Sequence, residues 1–186
     1  MDLTPTPSQT AGPFLHLGLT DIRSFACVAG HGAKGQTVQL TLRLLDGDGS
    51  PVPDAMIELW QADSEGNYKD TAAAAGETFC GFGRLATSED GSCTFETVKP
   101  GRVPGPGNTL QAPHINVSVF ARGLLKRLST RVYFAGDPAH SEDPVLALVP
   151  EHRRATLFAR PDPGRDRGWI QEIRMRGEGE TVFFDV

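Results

Sequence analysis

The chain is short of cysteine, tyrosine and tryptophan, of long apolar runs, and of excess positive charge. Its three cysteines, Cys27, Cys80 and Cys93, are odd in number and irregularly spaced. With no C-x-x-C pair, they argue against a disulfide framework, and each is expected to be buried as a small hydrophobe. No apolar run approaches the length of a membrane span. No basic segment followed by an apolar core opens the chain, so no signal peptide is expected, and the protein reads as soluble and cytoplasmic. A formal net charge of -5 implies no general affinity for nucleic acid or anionic membrane. No repeat of fixed period is found.

What the chain does have is punctuation. Its 21 glycines and 14 prolines fall between short apolar runs, the pattern of an all-β protein with many turns. At 186 residues it can bury one sizeable core, so residues 1–186 are read as a single domain. Residues 1–13, rich in Pro and Thr, are read as an extended arm, because proline cannot pair in a central strand. In "TVQLTLRLL" the residues Val38, Leu40, Leu42 and Leu44 share one face. An Asp-Gly turn follows, and "AMIELWQAD" then sets Met56, Glu58 and Trp60 opposite Ile57, Leu59 and Gln61. "GRLATSEDGSCTFETVKPG" repeats the scheme, with Asp90-Gly91 as the turn and Cys93, Phe95 and Thr97 on one face. Residues 102–111 read as a loop, "HINVSVFARG" and "STRVYFAGD" as two more strands, and "WIQEIRMRGEGETVFFDV" as closing strands around a tight turn. The one helix candidate is "VPEHRRATLFAR", with Pro150 near its first turn and Ala155, Leu157 and Phe158 to bury. At least seven strands with short turns favour a β-sandwich.

Candidate chemistry is sparse. His114 and Asn116 point to one face of a strand, but His-x-Asn is a poor metal pair, because a neutral amide is a weak ligand for a Lewis-acidic iron. Read alone, His114 is a strand histidine making a hydrogen bond, with a metal ligand as the sharper alternative. Tyr68 could join it, which makes only two ligands. His16, His31, His140 and His152 have no partner at ligand spacing and are placed on the surface or in loops. Ser8, Ser64, Ser88 and Ser129 lack a nucleophile elbow. "GPGN" and "GEGE" lack the lysine and the strand-to-helix context of a phosphate loop. Asp46/Asp48 and Glu89/Asp90 sit beside glycines, where carboxylates cap backbone amides. Clustered basic residues in "LLKRLSTR" and "EHRRATLFAR" read as solvated surface, with attraction of an anion as the alternative. Strand alternation from His114 puts Asn116, Ser118, Phe120 and Arg122 in one row. Arg122 is then either half of a plain salt bridge or a contact for a carboxylate.

Six segments together resemble the intradiol ring-cleaving dioxygenases, and among them the kind of chain that carries no metal. They are "TPSQTAGPFLHLGL", "IELWQADSEGNY", "FGRLATSEDGSCTFETVKPG", "APHINVSVFARGL", "TRVYFAGD" and "GEGETVFFDV". The resemblance runs from about residue 5 to the C-terminus and is weakest over 20–36. It implies a mixed-sheet, prealbumin-like β-sandwich with one short helix and an extended N-terminal arm. In the family's iron-bearing chains, Fe(III) is held by two tyrosines and a His-x-His pair. By motif Tyr68 and His114 stand at two of these positions, while Val103 and Asn116 replace the other two, so the four are read as vestigial. Gln111 stands near an arginine of the catalytic chains.

The resemblance further implies a non-iron-bearing alpha subunit that pairs in equal amounts, in a higher-order hetero-oligomer, with a homologous beta subunit bearing the Fe(III). That complex would cleave 3,4-dihydroxybenzoate with O2 to 3-carboxy-cis,cis-muconate. Thr10, Ala11, Gly12, Pro13 and Arg122 would border the partner's substrate pocket, with no catalytic residue on this chain. Two rivals stand beside this reading. One is a homo-oligomeric catechol-type dioxygenase with its own iron, for which four ligands are not found. The other is a non-enzymatic prealbumin-like binding module, which leaves "SQTAGPF" and "GEGETVFFD" unexplained.

Overall fold

The computed structural model describes residues 9, 10, 12, 17–20, 26–30, 32–69 and 78–185. Ten strands can be traced there. They are β1 (Thr37–Leu45), β2 (Met56–Gln61), β3 (Phe82–Ala86), β4 (Ser92–Val98), β5 (Val103–Pro104), β6 (Leu110–Gln111), β7 (His114–Phe120), β8 (Leu128–Phe134), β9 (Phe158–Pro161) and β10 (Gly168–Arg174). Eight join in the order β3-β2-β7-β8-β9-β10-β1-β4, and β5 and β6 form a separate small hairpin. The β1–β10 and β8–β9 pairs are parallel and the other pairs antiparallel, so the sheet is mixed. β9 is the hinge between its two halves, pairing with β8 through Tyr133↔Phe158 and with β10 through Ile170↔Arg160.

The two halves face one another across the core. Alternation drives this: β1 buries Val38, Leu40, Leu42 and Leu44, while β2 buries Ile57 and Leu59 and β7 buries Ile115, Val117 and Val119. Removing each such side chain from water is worth roughly 1.5–3 kcal/mol. A pair of polar residues, Gln61 and Thr97, is buried beside them. Gln61 is wholly buried, and its amide donates to the carbonyls of Ala62 (3.1 Å) and Val98 (3.0 Å) while accepting from the Thr97 hydroxyl (2.8 Å). With every group paired, it ties β2 to β4 across the core without a desolvation penalty.

The turns behave as expected, but the strands they join do not pair with each other. Asp46 Oδ1 accepts from the amides of Asp48 and Ser50, both at 2.9 Å. Asp90 Oδ1 accepts from the Ser88 and Ser92 hydroxyls at 2.7 Å, and these bonds hold its carboxyl down to about 2. Yet β1 pairs with β4 and β10, and β2 with β3 and β7. Pro51 and Pro53 have no amide to donate, so pairing stops and the chain crosses to the opposite half.

Several local expectations are corrected. The helix expected over "VPEHRRATLFAR" is one α-turn, Glu151–Arg154, followed by a 3₁₀ turn, Ala155–Leu157, and then β9. Leu157 is buried as expected, whereas Ala155 is exposed and Phe158 belongs to a strand, because pairing with β8 outweighs local propensity. A second helical turn, Pro144–Leu148, was not expected. Asp143 caps it, accepting from the amides of Val145 and Leu146 at 2.8 Å. Residues 102–111, read as a loop, contain the β5–β6 hairpin. The strand expected after "GEGE" is an extended segment that follows β8 through Phe184 N–H to Ser129 O (2.8 Å) and Thr130 Oγ1 to Val182 O (2.8 Å). Of the cysteines only Cys93 is buried. Cys80 is half-buried and Cys27 exposed, and all three are free. His152 is exposed and His140 half-buried, while His16 and His31 lie outside the described residues. Among the described residues no helix is long and apolar enough to cross a membrane.

Candidate functional site

The four residues expected at ligand positions lie in one connected cluster. Register accounts for this. Trp60 of β2, Asn116 of β7 and Arg131 of β8 are directly opposite one another across three strands, so they form a row on the outer face. One step along, His114 faces Tyr133. Tyr68 follows the turn after β2. Its ring stacks on Trp60 (6.0 Å, 13°), and its phenolic oxygen accepts from Asn116 Nδ2 at 3.1 Å. Gly66, at φ 88°, lets this turn press on the backbone of Arg102, next to Val103. Val103 is buried and pairs with Gln111, which accepts from Arg131 Nη1 at 2.7 Å.

His114 is 2% exposed, and its Nδ1 lies 2.8 Å from the Ala112 carbonyl. A carbonyl can only accept, so Nδ1 carries the hydrogen and Nε2 the lone pair. Ligating histidines are commonly oriented in this way. Burial, with Arg131 adding to it, pulls the imidazole down to about 4, so it is neutral at pH 7. Burial pushes Tyr68 above the usual phenol range, against the pull of the Asn116 hydrogen bond and of Arg131. It pushes Tyr133 up to about 12.

These residues do not fit iron. The donor set comes to one imidazole nitrogen and one phenol. Asn116 donates its Nδ2 to that phenol and is left with a neutral amide oxygen, a weak ligand for iron, and Val103 is hydrocarbon. Among the described residues no group of three or more His, Cys, Asp and Glu could hold a metal ion.

The arm meets the turn that carries Arg122 at the other end of β7, about 20 Å along the strand from His114. The Thr10 hydroxyl accepts from the Gly123 amide at 2.8 Å. Gln9, Thr10 and Gly12 border a surface depression of ≈ 300 Å³ with Phe120, Leu124 and Leu125. Ala11 and Pro13 lie outside the described residues. Arg122 does not continue the row from His114. The strand stops at Phe120, Ala121 turns inward, and Arg122 lies in the turn, largely exposed and ion-paired with Asp54. Of its two expected roles, the salt bridge is the one observed. Asp54 and Arg131 were missed. Arg131 joins the cluster only through the register of β8 on β7, and Asp54 lies in a Pro-flanked connection, so neither carried a local signal.

Comparison with known proteins places this geometry. The sequence model of a family described as Dioxygenase matches residues 14–177. The protocatechuate 3,4-dioxygenase alpha chain of Burkholderia cepacia is 44% identical, over 99% of this chain and 98% of that one. The beta chain of the same enzyme from that organism is 34% identical, over 79% of this chain and 67% of that one. Among solved structures, the dioxygenase domain of a carbohydrate-binding fusion protein from Streptomyces sp. SirexAA-E superposes with a TM-score of 0.65, covering 92% of this chain and 99% of that one at 22% identity. At that identity the likeness speaks for the fold alone.

Proposed function

The chain belongs to the dioxygenase family, and on that premise we propose that it is the alpha-type subunit of a protocatechuate 3,4-dioxygenase, holding no iron itself and walling the substrate pocket of an iron-bearing beta-type chain. The observation that carries this reading is the donor set. Asn116 is bonded to Tyr68 and Val103 is buried hydrocarbon, at two of the positions where a metal-holding relative needs ligands. Near full-length similarity to an alpha chain, against partial similarity to a beta chain, supports the assignment of chain type. The complex cleaves 3,4-dihydroxybenzoate with O2 to 3-carboxy-cis,cis-muconate, and Fe(III) belongs to the beta-type partner, present in equal amount. Thr10, Gly12 and Arg122, with Ala11 and Pro13 of the arm, form the wall.

The bond of Thr10 to Gly123, the neighbour of Arg122, supports a shared role for the arm and this turn. Exposed Leu110, Leu125 and Leu148 suit a chain whose surface is covered by a partner. Three unpaired thiols suit a reducing, cytoplasmic setting.

The test is expression of this chain alone and together with a related chain that keeps two tyrosines and His-x-His. Alone, it is expected to be colourless and poorly behaved in solution. Together, the two are expected to form one species in equal amounts, with a visible tyrosinate–Fe(III) band and iron that disappears when the partner's histidines are replaced. Iron near one atom per chain in this protein alone would overturn the reading.

A further inference from the structure

We propose that Arg131 makes the outer face around Asn116 and Tyr68 a carboxylate-binding site. The guanidinium is half-buried. Its partners are all neutral: Nη1 donates to Gln111 Oε1 (2.7 Å) and to the Tyr133 hydroxyl (3.3 Å), and the group lies 5.9 Å from the centre of the Phe184 ring. Among the described residues it makes no ion pair. The carboxylate that acts on this cluster is Asp143, reached through the Tyr133 hydroxyl. Its oxygens are already committed to backbone amides, Oδ2 to Ala112 (2.6 Å) and Oδ1 to Val145 and Leu146 (2.8 Å each). A partly desolvated cation with no carboxylate in direct contact is unfavourable, and an arriving carboxylate offsets that cost by occupying the free edge of the fork.

The surroundings narrow the class of ligand. Arg131, Asn116 and Trp60 stand side by side on three adjacent strands, so their backbones are about 10 Å apart from end to end of the row at the usual strand spacing. Asn116 lies between the other two, and the stacked Trp60–Tyr68 pair closes the far end. A guanidinium, an amide and an aromatic surface presented in one row suit a small aromatic carboxylate. The same chemistry could arrive as an Asp or Glu side chain of a partner subunit, which makes the source part of the test. The inference rests on the proposed function only for the existence of that partner.

The experiment is equilibrium dialysis of benzoate against the assembled complex. Two equivalents per pair of chains are expected, one at the partner's iron and one at Arg131. Arg131→Gln should leave one, Arg131→Lys should keep two with the second weakened about tenfold, and phenol, lacking the carboxylate, should not compete for the second. If the wild type binds only one equivalent while Arg131→Gln weakens association with the partner about tenfold or more, the carboxylate is the partner's and Arg131 still binds it. One equivalent together with unchanged association overturns the proposal, as do two equivalents retained in Arg131→Gln. If no complex forms, the functional reading fails separately. Dialysis of this chain alone then expects one equivalent in the wild type and none in Arg131→Gln, and no binding to the wild type overturns the proposal.

Discussion

Acid should undermine this protein through His114, and the size of the effect follows from its burial. In the folded chain the imidazole titrates at about 4, against the ordinary 6.5, chiefly because burial disfavours the charged form. Unfolded chain therefore takes up a proton that folded chain resists. The associated stability is fully present above about pH 6.5 and is lost as pH falls toward about 4. A shift of that size corresponds to about 3 kcal/mol, of which about 2.5 kcal/mol is already gone at about pH 4.5. For a chain of this length that equals a fall of about 5–10 °C in Tm beyond what the other groups contribute. The perturbation is His114→Gln. At neutral pH the variant is destabilised by about 1–3 kcal/mol through loss of the bond to Ala112 and of the ring contact with Tyr133. Its Tm should nevertheless fall less steeply with acid than that of the wild type. Thermal melts of both proteins from about pH 8 to about pH 4.5 give the difference, in which shared groups such as His140 and Asp137 cancel. Parallel curves for the two proteins would refute the account of His114 as a buried neutral imidazole.

Three further outcomes are expected. Arg122→Ala in the assembled complex should lower kcat/KM for 3,4-dihydroxybenzoate by about one to two decades with iron content unchanged, and should affect plain catechol much less; equal loss on both would mean that the arginine positions the wall. Gly12→Val should depress turnover of both substrates, and because a Cβ at Gly12 meets nothing within 4 Å in the chain itself, the fold as followed by circular dichroism should be untouched. Gly66→Ala should destabilise by more than about 1 kcal/mol, since a Cβ there would strike the Arg102 carbonyl at φ 88°; an unchanged melting temperature would contradict the close approach of the Tyr68 turn to the 102–103 backbone.

Alternation was enough to read β1, β2, β4 and β7 from the chain, because a strand with one face in the core must repeat its apolar residues every second position. The Asp46 and Asp90 turns were equally legible, since a carboxylate beside glycine caps its own local amides and needs no distant partner. Motif carried Tyr68, Val103, His114 and Asn116 as a group. Which strands pair was not legible. The Asp-Gly turns look like hairpins in the sequence, but each connection crosses between the two halves of the sheet, and only burial of two facing apolar surfaces selects that path. Phe158 had helical neighbours and became a strand because β8 offered a free edge. Arg122 left its expected row because β7 ended at Phe120 and Asp54, far away in sequence, supplied a counter-charge. Arg131 reached the cluster only because β8 is in register with β7. Local chemistry and periodicity act within a few residues and can be read directly, whereas register, crossing and charge pairing depend on residues that meet only when the core closes.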